Sequence, residues 1–342
     1  MLEVRKDVSV KDLTSFKIGG IAKFFAVARS IEDITEAIDQ AKSMNVKLFV
    51  IGGGSNIIFS DEYLDLFILK LEMFGFEILE DVDDFSTIKI GSSENWDEIV
   101  SKCVELGLSG IEAMSAIPGT VGATPVQNVG AYGQEIKDTL VELQVFDTTD
   151  KSVKALSNAD CRFKYRDSIF KSEDKGRYII LNVTLKLSKL RPSVPEYPGV
   201  QKYFSESGVD EPSLVDIRNA IIDIRKSKLP DPSIVPNCGS FFENPIIDRV
   251  LVQGIKEKFP DMKYFELADG TVKVPAGWLV EKAGFKGQLI GNGKIKVHQD
   301  NALVLTNNGG ATFSDLLSAK EEIVGKVKEM FGIELEMEPN VI

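Results

Sequence analysis

Apolar and polar positions follow two different periods in the first part of the chain. Short apolar runs at residues 22–27 and 48–51 predict two strands. Between them, Ser30 followed by Asp33 is a helix start signal, and apolar residues then recur every three or four positions on one face: Ile31, Ile34, Ile38 and Ala41. The pattern predicts a strand, a helix and a second strand that runs directly into three glycines.

Similar patterns continue to the end of the chain. A helix is predicted from Asn95 to a stop signal at Gly107, and three more are predicted to begin near Ser213, Asp248 and Thr312. Further strands are predicted at residues 66–70, 74–79, 87–90, 140–146, 178–187, 301–306 and 333–337. The proline-rich stretch 188–210 is expected to be a domain boundary or a lid. The mixture of helices and strands predicts an α+β fold.

Composition and charge restrict the class of protein. The chain has 342 residues, 43% hydrophobic and 27% charged, which predicts a globular protein of two or three domains. Its net charge of −12 disfavours nucleic acid or an anionic membrane as a partner. The first ten residues lack the apolar core of a signal peptide, and no run is long enough to span a bilayer. We therefore expect a cytoplasmic protein without membrane attachment.

Cysteine and histidine are too few for most metal or nucleophile chemistry. Cys103, Cys161 and Cys238 are odd in number and lack the spacing of metal ligands, which favours buried free thiols. Because His298 is the only histidine, a histidine zinc site or a Ser-His-Asp triad is disfavoured. The sequence therefore predicts no metal site.

Two glycine-rich segments indicate a ligand-binding site. The glycine-rich stretch, residues 117–133 (IPGTVGATPVQNVGAYG), has no charge and keeps three valines, unlike an ordinary exposed loop. Glycine lets a bulky ligand approach the backbone N–H and C=O groups closely. The GGGSN turn, residues 52–56, follows a predicted strand and forms a nest of amides suited to a pyrophosphate. It matches neither a P-loop nor the dinucleotide fingerprint.

Together these segments resemble the flavin-binding domain of the UDP-N-acetylenolpyruvoylglucosamine reductases. CRFKYRDS at residues 161–168, here called the arginine motif, and GSFFENP at residues 239–245 also match the family's motifs at every specified position. The resemblance covers essentially the whole chain, and Tyr197 in its proline-rich loop matches the longer, type I form. It implies a two-lobed FAD-binding region of the PCMH/vanillyl-alcohol-oxidase-like type plus a C-terminal α+β substrate-binding domain.

The resemblance also implies domain boundaries and cofactors. Residues 1–70 and 71–210 are expected to form the two FAD-binding lobes, the second with a tyrosine-loop insertion near 190–210. Residues 211–320 are expected to bind substrate, and residues 321–342 to return to the active site. FAD, bound without a covalent link, and NADPH are the implied cofactors. The residues expected to contact FAD are Gly52, Gly53, Gly54, Ser55, Asn56, Ile117, Pro118, Gly119, Gly122, Ala123, Thr124, Gln127, Asn128, Gly130, Ala131 and Tyr132.

Three side chains take catalytic roles by the same resemblance. A guanidinium group can hold a carboxylate by two parallel hydrogen bonds, and the family motif makes Arg166 the catalytic arginine. A lone serine is a weak acid, so the residues alone would not select Ser240; the resemblance makes it the proton donor to carbon. The catalytic glutamate is expected at Glu338, and a match slid by two residues would place Asn340 there.

Further matched positions are implied in substrate binding. Arg225 and Lys228 lie at a basic helix end and are expected to hold a diphosphate. Tyr197 is expected to close over the nucleotide as a lid. The full set implied in substrate binding is Tyr165, Tyr197, Arg225, Lys228, Asn244 and Asn301.

The implied reaction is the NADPH-dependent reduction of UDP-N-acetylglucosamine enolpyruvate to UDP-N-acetylmuramate. It belongs to peptidoglycan precursor synthesis, and so to cell-wall formation, cell shape and division. NADPH is expected to reduce FAD at N5 and leave, after which hydride passes to C3 of the small-molecule substrate and Ser240 protonates C2. A monomer is expected.

Two alternatives stay open. One is a related FAD-dependent oxidase or dehydrogenase acting on an alcohol or hydroxy acid. Many such enzymes tether FAD through a histidine or cysteine in the glycine-rich loops, and neither glycine-rich segment here contains either residue. The other is a non-catalytic protein that binds flavin or a nucleotide sugar.

Overall fold

The computed structural model describes residues 1–267 and 269–342 and divides them into two compact units. The first unit consists of residues 1–8, 22–53 and 65–225, and the second of residues 9–21, 54–64 and 226–342. The proline-rich stretch 188–210 therefore lies inside the first unit, which ends at Arg225. The four contiguous domains expected from the sequence follow a different division and stay a prediction.

Helices begin and end close to the predicted positions. In the helix Ile31–Ser43, the Ser30 side chain accepts a hydrogen bond from the Asp33 backbone N–H, as the start signal predicts. Asn95 caps the helix Trp96–Glu105 in the same way. The other α-helices of the described residues are Pro198–Ser207, Leu214–Lys226, Arg249–Lys258, Ala276–Lys282 and Phe313–Phe331.

The sequence pattern does not predict the helix Pro198–Ser207. Its buried residues are Val200 and Phe204, too few to give a clear period within a proline-rich stretch. These residues pack in one cluster with Ile217 and Ile221 of the helix Leu214–Lys226 and with Ala113. The two helices therefore share one small hydrophobic cluster within the first unit.

Two sheets form most of the first unit. One has the strand order Arg5–Ser9, Ile21–Ala28, Tyr63–Leu71 and Lys47–Ile51, and the last two strands are parallel. The other is antiparallel, with the order Ser152–Ser157, Leu140–Asp147, Tyr178–Ser188, Phe85–Gly91 and Phe76–Asp81. The edge strands Arg5–Ser9 and Ser152–Ser157 are not predicted, because they bury too little apolar surface to leave a pattern.

An antiparallel sheet forms the centre of the second unit. Its strand order is Asn237–Ser240, Val304–Asn307, Ile295–Val297 and Leu289–Ile290. The helix Phe313–Phe331 shares a hydrophobic core with this sheet, to which Phe241 and Phe242 contribute fully buried rings. A smaller antiparallel sheet has the order Ile246–Ile247, Val272–Lys273 and Phe265–Glu266.

The prediction of a strand at residues 333–337 is wrong. Among these five described residues, Met337 alone pairs, in an isolated bridge with Phe242. Pro339 has no N–H group, so the pairing cannot continue toward the C-terminus. The last strand is instead Asn340–Val341, which runs parallel to Ile57–Ile58.

A buried carboxylate joins three segments of the five-stranded sheet. Asp147 ends the strand Leu140–Asp147, and its side chain has 0% exposure. It accepts hydrogen bonds from Lys154 at 2.7 Å and from Arg177 at 2.9 and 3.1 Å. The hydrogen bonds from Arg177, followed by those from Lys154 and Thr149, hold the pKa of Asp147 well below its usual value despite burial.

Replacement of Asp147 by asparagine is expected to lower the free energy of unfolding by about 2 kcal/mol at pH 7, since two cations lose their buried partner. Arg177 and Lys154 are 38% and 35% exposed, so water screens part of the loss. Because folding lowers this pKa, the stabilisation is complete above about pH 4 and declines as the pH falls below it.

Urea unfolding at pH 7 and pH 3 tests this prediction. The difference in the free energy of unfolding between the wild type and Asp147→Asn should be smaller at pH 3 than at pH 7. An equal difference at both pH values would contradict the prediction. Asp150→Asn is the matched control, because Asp150 also bonds Lys154 but is half exposed and should matter much less.

Candidate active site

The two glycine-rich segments pack against each other within the first unit. A Cβ atom on Gly53 would lie 3.0 Å from the Cα of Gly119, and one on Gly52 would lie 2.7 Å from Oγ1 of Thr120. A side chain on either glycine would therefore require a neighbour to shift. Gly52 and Gly53 are themselves exposed, so peptide groups rather than side chains line this surface.

The other candidates for FAD contact divide between the units. Gly54, Ser55 and Asn56 belong to the second unit, where the GGGSN turn continues. The remaining candidates on the glycine-rich stretch belong to the first unit: Ile117, Pro118, Ala123, Thr124, Gln127 and Ala131.

Gly122 makes a further close approach within the first unit. Its backbone N–H donates a hydrogen bond of 2.8 Å to the carbonyl oxygen of Ser92. A Cβ atom on Gly122 would lie 2.5 Å from the Cβ of Ser92, closer than real side chains come. The path of the glycine-rich stretch therefore depends on glycine at this position.

Asn128 ties the glycine-rich stretch to the arginine motif. Its buried side chain donates to the carboxylate of Glu135 at 2.9 Å and to the carbonyl of Lys164 at 3.1 Å, and accepts from the N–H of Lys137 at 3.3 Å. Its φ of 48° is left-handed, a conformation that asparagine tolerates. Because the amide is engaged within the protein, a contact between Asn128 and a ligand would come from its backbone.

Arg166 lies against the same stretch. Its Nη2 donates a hydrogen bond of 3.2 Å to the carbonyl of Gly130, and its guanidinium carbon lies 5.3 Å from the centre of the Tyr165 ring. Two residues further on, the Ser168 hydroxyl donates to the carbonyl of Val126 at 2.6 Å. The structure thus brings the candidate catalytic arginine together with the candidate flavin segment.

Tyr197 also reaches the glycine-rich stretch. Its ring meets that of Tyr132 edge-on, with 5.0 Å between the ring centres and 85° between the planes. Tyr197 remains 42% exposed, while burial raises the pKa of Tyr132 and the charge of Arg225 opposes that shift. Arg225 lies in the first unit near Tyr132, whereas Lys228 is exposed and belongs to the second unit.

Ser240 and Glu338 come together in the second unit. Ser240 ends the strand Asn237–Ser240, and the backbone N–H of Glu338 donates to the carbonyl of the next residue, Phe241, at 3.0 Å. The Asn56 side chain donates to the carbonyl of Glu338 at 3.4 Å. Asn340 lies further along, where its N–H donates to the carbonyl of Asn56 at 3.0 Å. Backbone proximity to Ser240 therefore favours Glu338 over Asn340.

The three thiols are buried, which confirms the prediction. Burial raises the pKa of Cys103 and of Cys161 to about 12. Burial also raises the pKa of Cys238, and the negative charge of Glu338 adds to the effect. At neutral pH all three thiols are protonated and unreactive.

Asn244 and Asn301 both lie at the start of the helix Ala276–Lys282. Oδ1 of Asn244 accepts a hydrogen bond from the Ala276 N–H at 2.9 Å. Oδ1 of Asn301 accepts from the Leu303 N–H at 3.0 Å and would lie 3.8 Å from a Cβ atom on Gly277. The second unit therefore gathers these two candidates at one helix end.

One ion pair near the glycine-rich stretch is not found by sequence reasoning. Arg218 donates two hydrogen bonds, of 2.6 and 3.1 Å, to the carboxylate of Asp97. The partners lie 121 positions apart, and neither falls in a recognisable motif. Asp97 also accepts a hydrogen bond from the Ala116 N–H, and only the folded structure shows that this ion pair lies beside Ala116.

Two features are absent from residues 1–267 and 269–342. In this part of the chain, no group of three or more histidine, cysteine, aspartate or glutamate residues could hold a metal ion. Nor does any helix formed by these residues have the length and apolar character needed to cross a bilayer.

The fold and the glycine-lined surface define an FAD-binding oxidoreductase. Residues 22–155 match the family model of an FAD binding domain, and residues 231–342 match that of the UDP-N-acetylenolpyruvoylglucosamine reductase C-terminal domain. The chain belongs to the UDP-N-acetylenolpyruvoylglucosamine reductase family. It uses FAD as its cofactor and NADPH as its reductant, and acts in peptidoglycan precursor synthesis.

Individual relatives support this membership over the full length. The chain is 41% identical over 342 residues to the reductase of Flavobacterium johnsoniae, with 100% of both chains covered. It is 39% identical over 340 residues to that of Pseudomonas aeruginosa, with 99% of each covered. The crystal structure of the Thermus caldophilus reductase matches with a TM-score of 0.70 at 22% identity, covering 100% of this chain and 99% of that one. The expected α+β fold is confirmed, and the oxidase alternative is not favoured.

Proposed function

We propose that the chain reduces UDP-N-acetylglucosamine enolpyruvate to UDP-N-acetylmuramate with Arg166, Ser240 and Glu338 as its catalytic residues. The observation that carries the proposal is the hydrogen bond from Arg166 to Gly130, on the segment expected to hold the flavin. The backbone bond between Glu338 and Phe241, next to Ser240, supports the other two assignments. The substrate is inferred from the family.

The exposed peptide groups of Gly52 and Gly53, packed on Gly119, suit FAD. A pyrophosphate needs N–H donors without side chains in the way, and both segments provide such a surface. The uncharged stretch that follows suits the flat flavin ring. FAD held on this surface would supply the redox chemistry, namely the transfer of hydride from NADPH to C3 of the substrate.

Gly122→Ala tests the flavin segment. The new methyl group would displace the glycine-rich stretch from Ser92, and overpacking of this size is expected to weaken FAD binding about 10- to 100-fold. Fluorescence titration of the apoprotein with FAD measures the effect. Gly325→Ala, in a helix where a Cβ meets nothing within 4 Å, is the matched control and should bind FAD like the wild type. Equal affinities in both variants would contradict the proposed segment.

Arg166 is proposed to neutralise the negative charge that develops on the substrate. When hydride reaches C3, charge spreads from C2 onto the neighbouring carboxylate, which a guanidinium group can hold by two hydrogen bonds. The hydrogen bond to Gly130, and the bond of 3.0 Å from the Lys171 side chain to the Arg166 carbonyl, fix the residue in advance. Preorganised charge of this kind stabilises a transition state strongly.

Ser240 is proposed to complete the reaction by donating its proton to C2. A hydroxyl group is a weak acid, so the transfer depends on the high basicity of the enolate-like carbon and on accurate placement. Pairing of its strand with Val304 and the bond between Phe241 and Glu338 hold the Ser240 backbone on both sides. We assign Glu338 to stabilising the same developing charge as Arg166.

Lys228, exposed in the second unit, is proposed to contact the substrate diphosphate, and Tyr197 to close over the nucleotide. Tyr165, Asn244 and Asn301 remain proposed substrate contacts. We propose a cytoplasmic monomer, and the net charge of −12 disfavours nucleic acid as a partner.

Steady-state kinetics test the proposed function. NADPH oxidation should depend on UDP-N-acetylglucosamine enolpyruvate. Double-reciprocal plots for the two substrates should give parallel lines, because the oxidised nicotinamide leaves before the enolpyruvyl substrate reacts. Intersecting lines would contradict this order of events. Reduction of the flavin by an alcohol or hydroxy acid would favour the oxidase alternative instead.

A further inference from the structure

Ala116 has an unusual backbone conformation immediately before the glycine-rich stretch. Its φ is 58°, in the left-handed region that residues with a Cβ atom rarely adopt. Such a conformation persists only where the surroundings hold it. The residue also sets the direction in which Ile117 and Pro118 enter the proposed flavin site.

Side chains from two helices hold both polar groups of Ala116. Asp97, on the helix Trp96–Glu105, accepts a hydrogen bond from the Ala116 N–H at 2.6 Å. Arg225, on the helix Leu214–Lys226, donates from Nε to the Ala116 carbonyl at 3.3 Å. Asp97 therefore fixes the peptide group that precedes Ala116, and Arg225 fixes the peptide group that follows it.

Arg218, on the helix Leu214–Lys226, holds the Asp97 side chain in place. Its side chain, only 12% exposed, gives Asp97 two hydrogen bonds, and Arg225 lies two turns further along the same helix. Burial acts against ionisation of Asp97, but the bonds from Arg218 and Ala116 outweigh it and lower the pKa, so the carboxylate is charged at neutral pH. Ile217 and Ile221, buried beside Ala113, fix the helix itself.

Arg225 also reaches the far end of the glycine-rich stretch. Its guanidinium group interacts with the hydroxyl group of Tyr132, whose φ of 52° is again left-handed. The Tyr132 ring in turn contacts the ring of Tyr197 edge-on. One cation thus connects the residue before the stretch with the residue near its end.

We propose that Asp97, Arg218 and Arg225 are positioning residues, the Ala116 clamp, which hold the glycine-rich stretch in the shape that binds FAD. The proposal rests on the proposed function, because it takes residues 117–132 as the flavin segment. It gives Arg225 a different role from the substrate diphosphate contact expected by resemblance. The clamp acts through Ala116 and Tyr132 and does not touch the reacting atoms.

Asp97→Asn is the first test, with FAD titration of the apoprotein as the readout. Loss of the charge leaves Arg218 without its partner and loosens Ala116, so the dissociation constant of FAD should rise at least tenfold. With FAD saturating, the KM for the enolpyruvyl substrate should stay within twofold of the wild type. An unchanged FAD affinity would overturn the proposal.

Arg225→Lys separates the clamp from a diphosphate contact. Lysine keeps the charge but cannot reproduce the Nε hydrogen bond to Ala116. The clamp predicts weaker FAD binding with an unchanged substrate KM, whereas a raised KM with unchanged FAD affinity would overturn it. Arg249→Lys, which alters an exposed ion pair with Glu266 in the second unit, is the matched control and should change neither quantity.

Rescue by Ala116→Gly provides a readout that general destabilisation would not move. Glycine adopts a positive φ without strain, so the stretch should need the clamp less. Asp97→Asn combined with Ala116→Gly should recover most of the lost FAD affinity, and absence of recovery would overturn the proposal. If Asp97→Asn does not fold, Arg218→Lys replaces it in the same comparison.

Failure of the clamp and failure of the flavin assignment are distinguishable. If Gly122→Ala weakens FAD binding but Asp97→Asn does not, the clamp is wrong and the flavin segment stands. If neither variant affects FAD binding, the assignment of the segment itself is wrong.

Discussion

Replacement of Ser240 by alanine is expected to slow reoxidation of the reduced flavin by UDP-N-acetylglucosamine enolpyruvate about a thousandfold. Reduction of the flavin by NADPH should keep its wild-type rate, since no proton from Ser240 is needed for that step. The reason is that hydride addition to C3 leaves negative charge at C2, and the addition reverses unless C2 is then protonated. Ser240 lies at the end of a paired strand, so loss of its hydroxyl should leave the backbone unchanged.

Stopped-flow absorbance under anaerobic conditions measures the two half-reactions of Ser240→Ala separately. Ser233→Ala is a suitable control, because this serine is exposed in the second unit and its hydroxyl bonds Asp231. It should leave both rates unchanged. Equal slowing of both half-reactions in Ser240→Ala would show that Ser240 is not the proton donor.

The second large effect is expected for Arg166. Arg166→Ala should lower the rate of substrate reduction about 10²- to 10³-fold with FAD saturating, because removal of one preorganised donor to a developing charge has this cost. Arg166→Lys should recover part of the rate, since lysine restores charge but not the planar pair of donors. Single-turnover rates with excess substrate separate this effect from binding.

Arg162→Ala provides the control for Arg166. Both arginines belong to the arginine motif, but Arg162 is 66% exposed and pairs with Glu173, so its loss should have little effect. A comparable loss of rate in Arg162→Ala, or full activity in Arg166→Ala, would contradict the assignment.

Local features of the fold could be predicted because they depend on near neighbours in the sequence. Ser30 caps its helix through Asp33, and Asn95 caps the next, because such bonds are formed within one turn. The strand prediction for residues 333–337 is wrong for the opposite reason. The apolar residues of this segment pack into the core, but its backbone pairing depends on Phe242, almost a hundred positions away.

The sequence proposes candidate site residues only where they lie in a compact motif. Arg166 and Ser240 fall in such motifs, whereas Asp97 and Arg218 become neighbours through the fold alone. Asn128 illustrates a further limit, because this residue is expected to contact FAD but its side-chain amide is engaged by Glu135 and the Lys164 backbone. Residue type shows what a side chain can bind, but only packing shows what already occupies it.

The most direct test of the proposed reaction is a single anaerobic turnover. The purified protein's flavin is reduced with one equivalent of NADPH, UDP-N-acetylglucosamine enolpyruvate is added, and the return of the oxidised flavin absorbance is followed. We expect rapid reoxidation and one equivalent of UDP-N-acetylmuramate. A flavin that stays reduced until oxygen is admitted would contradict the proposed reaction.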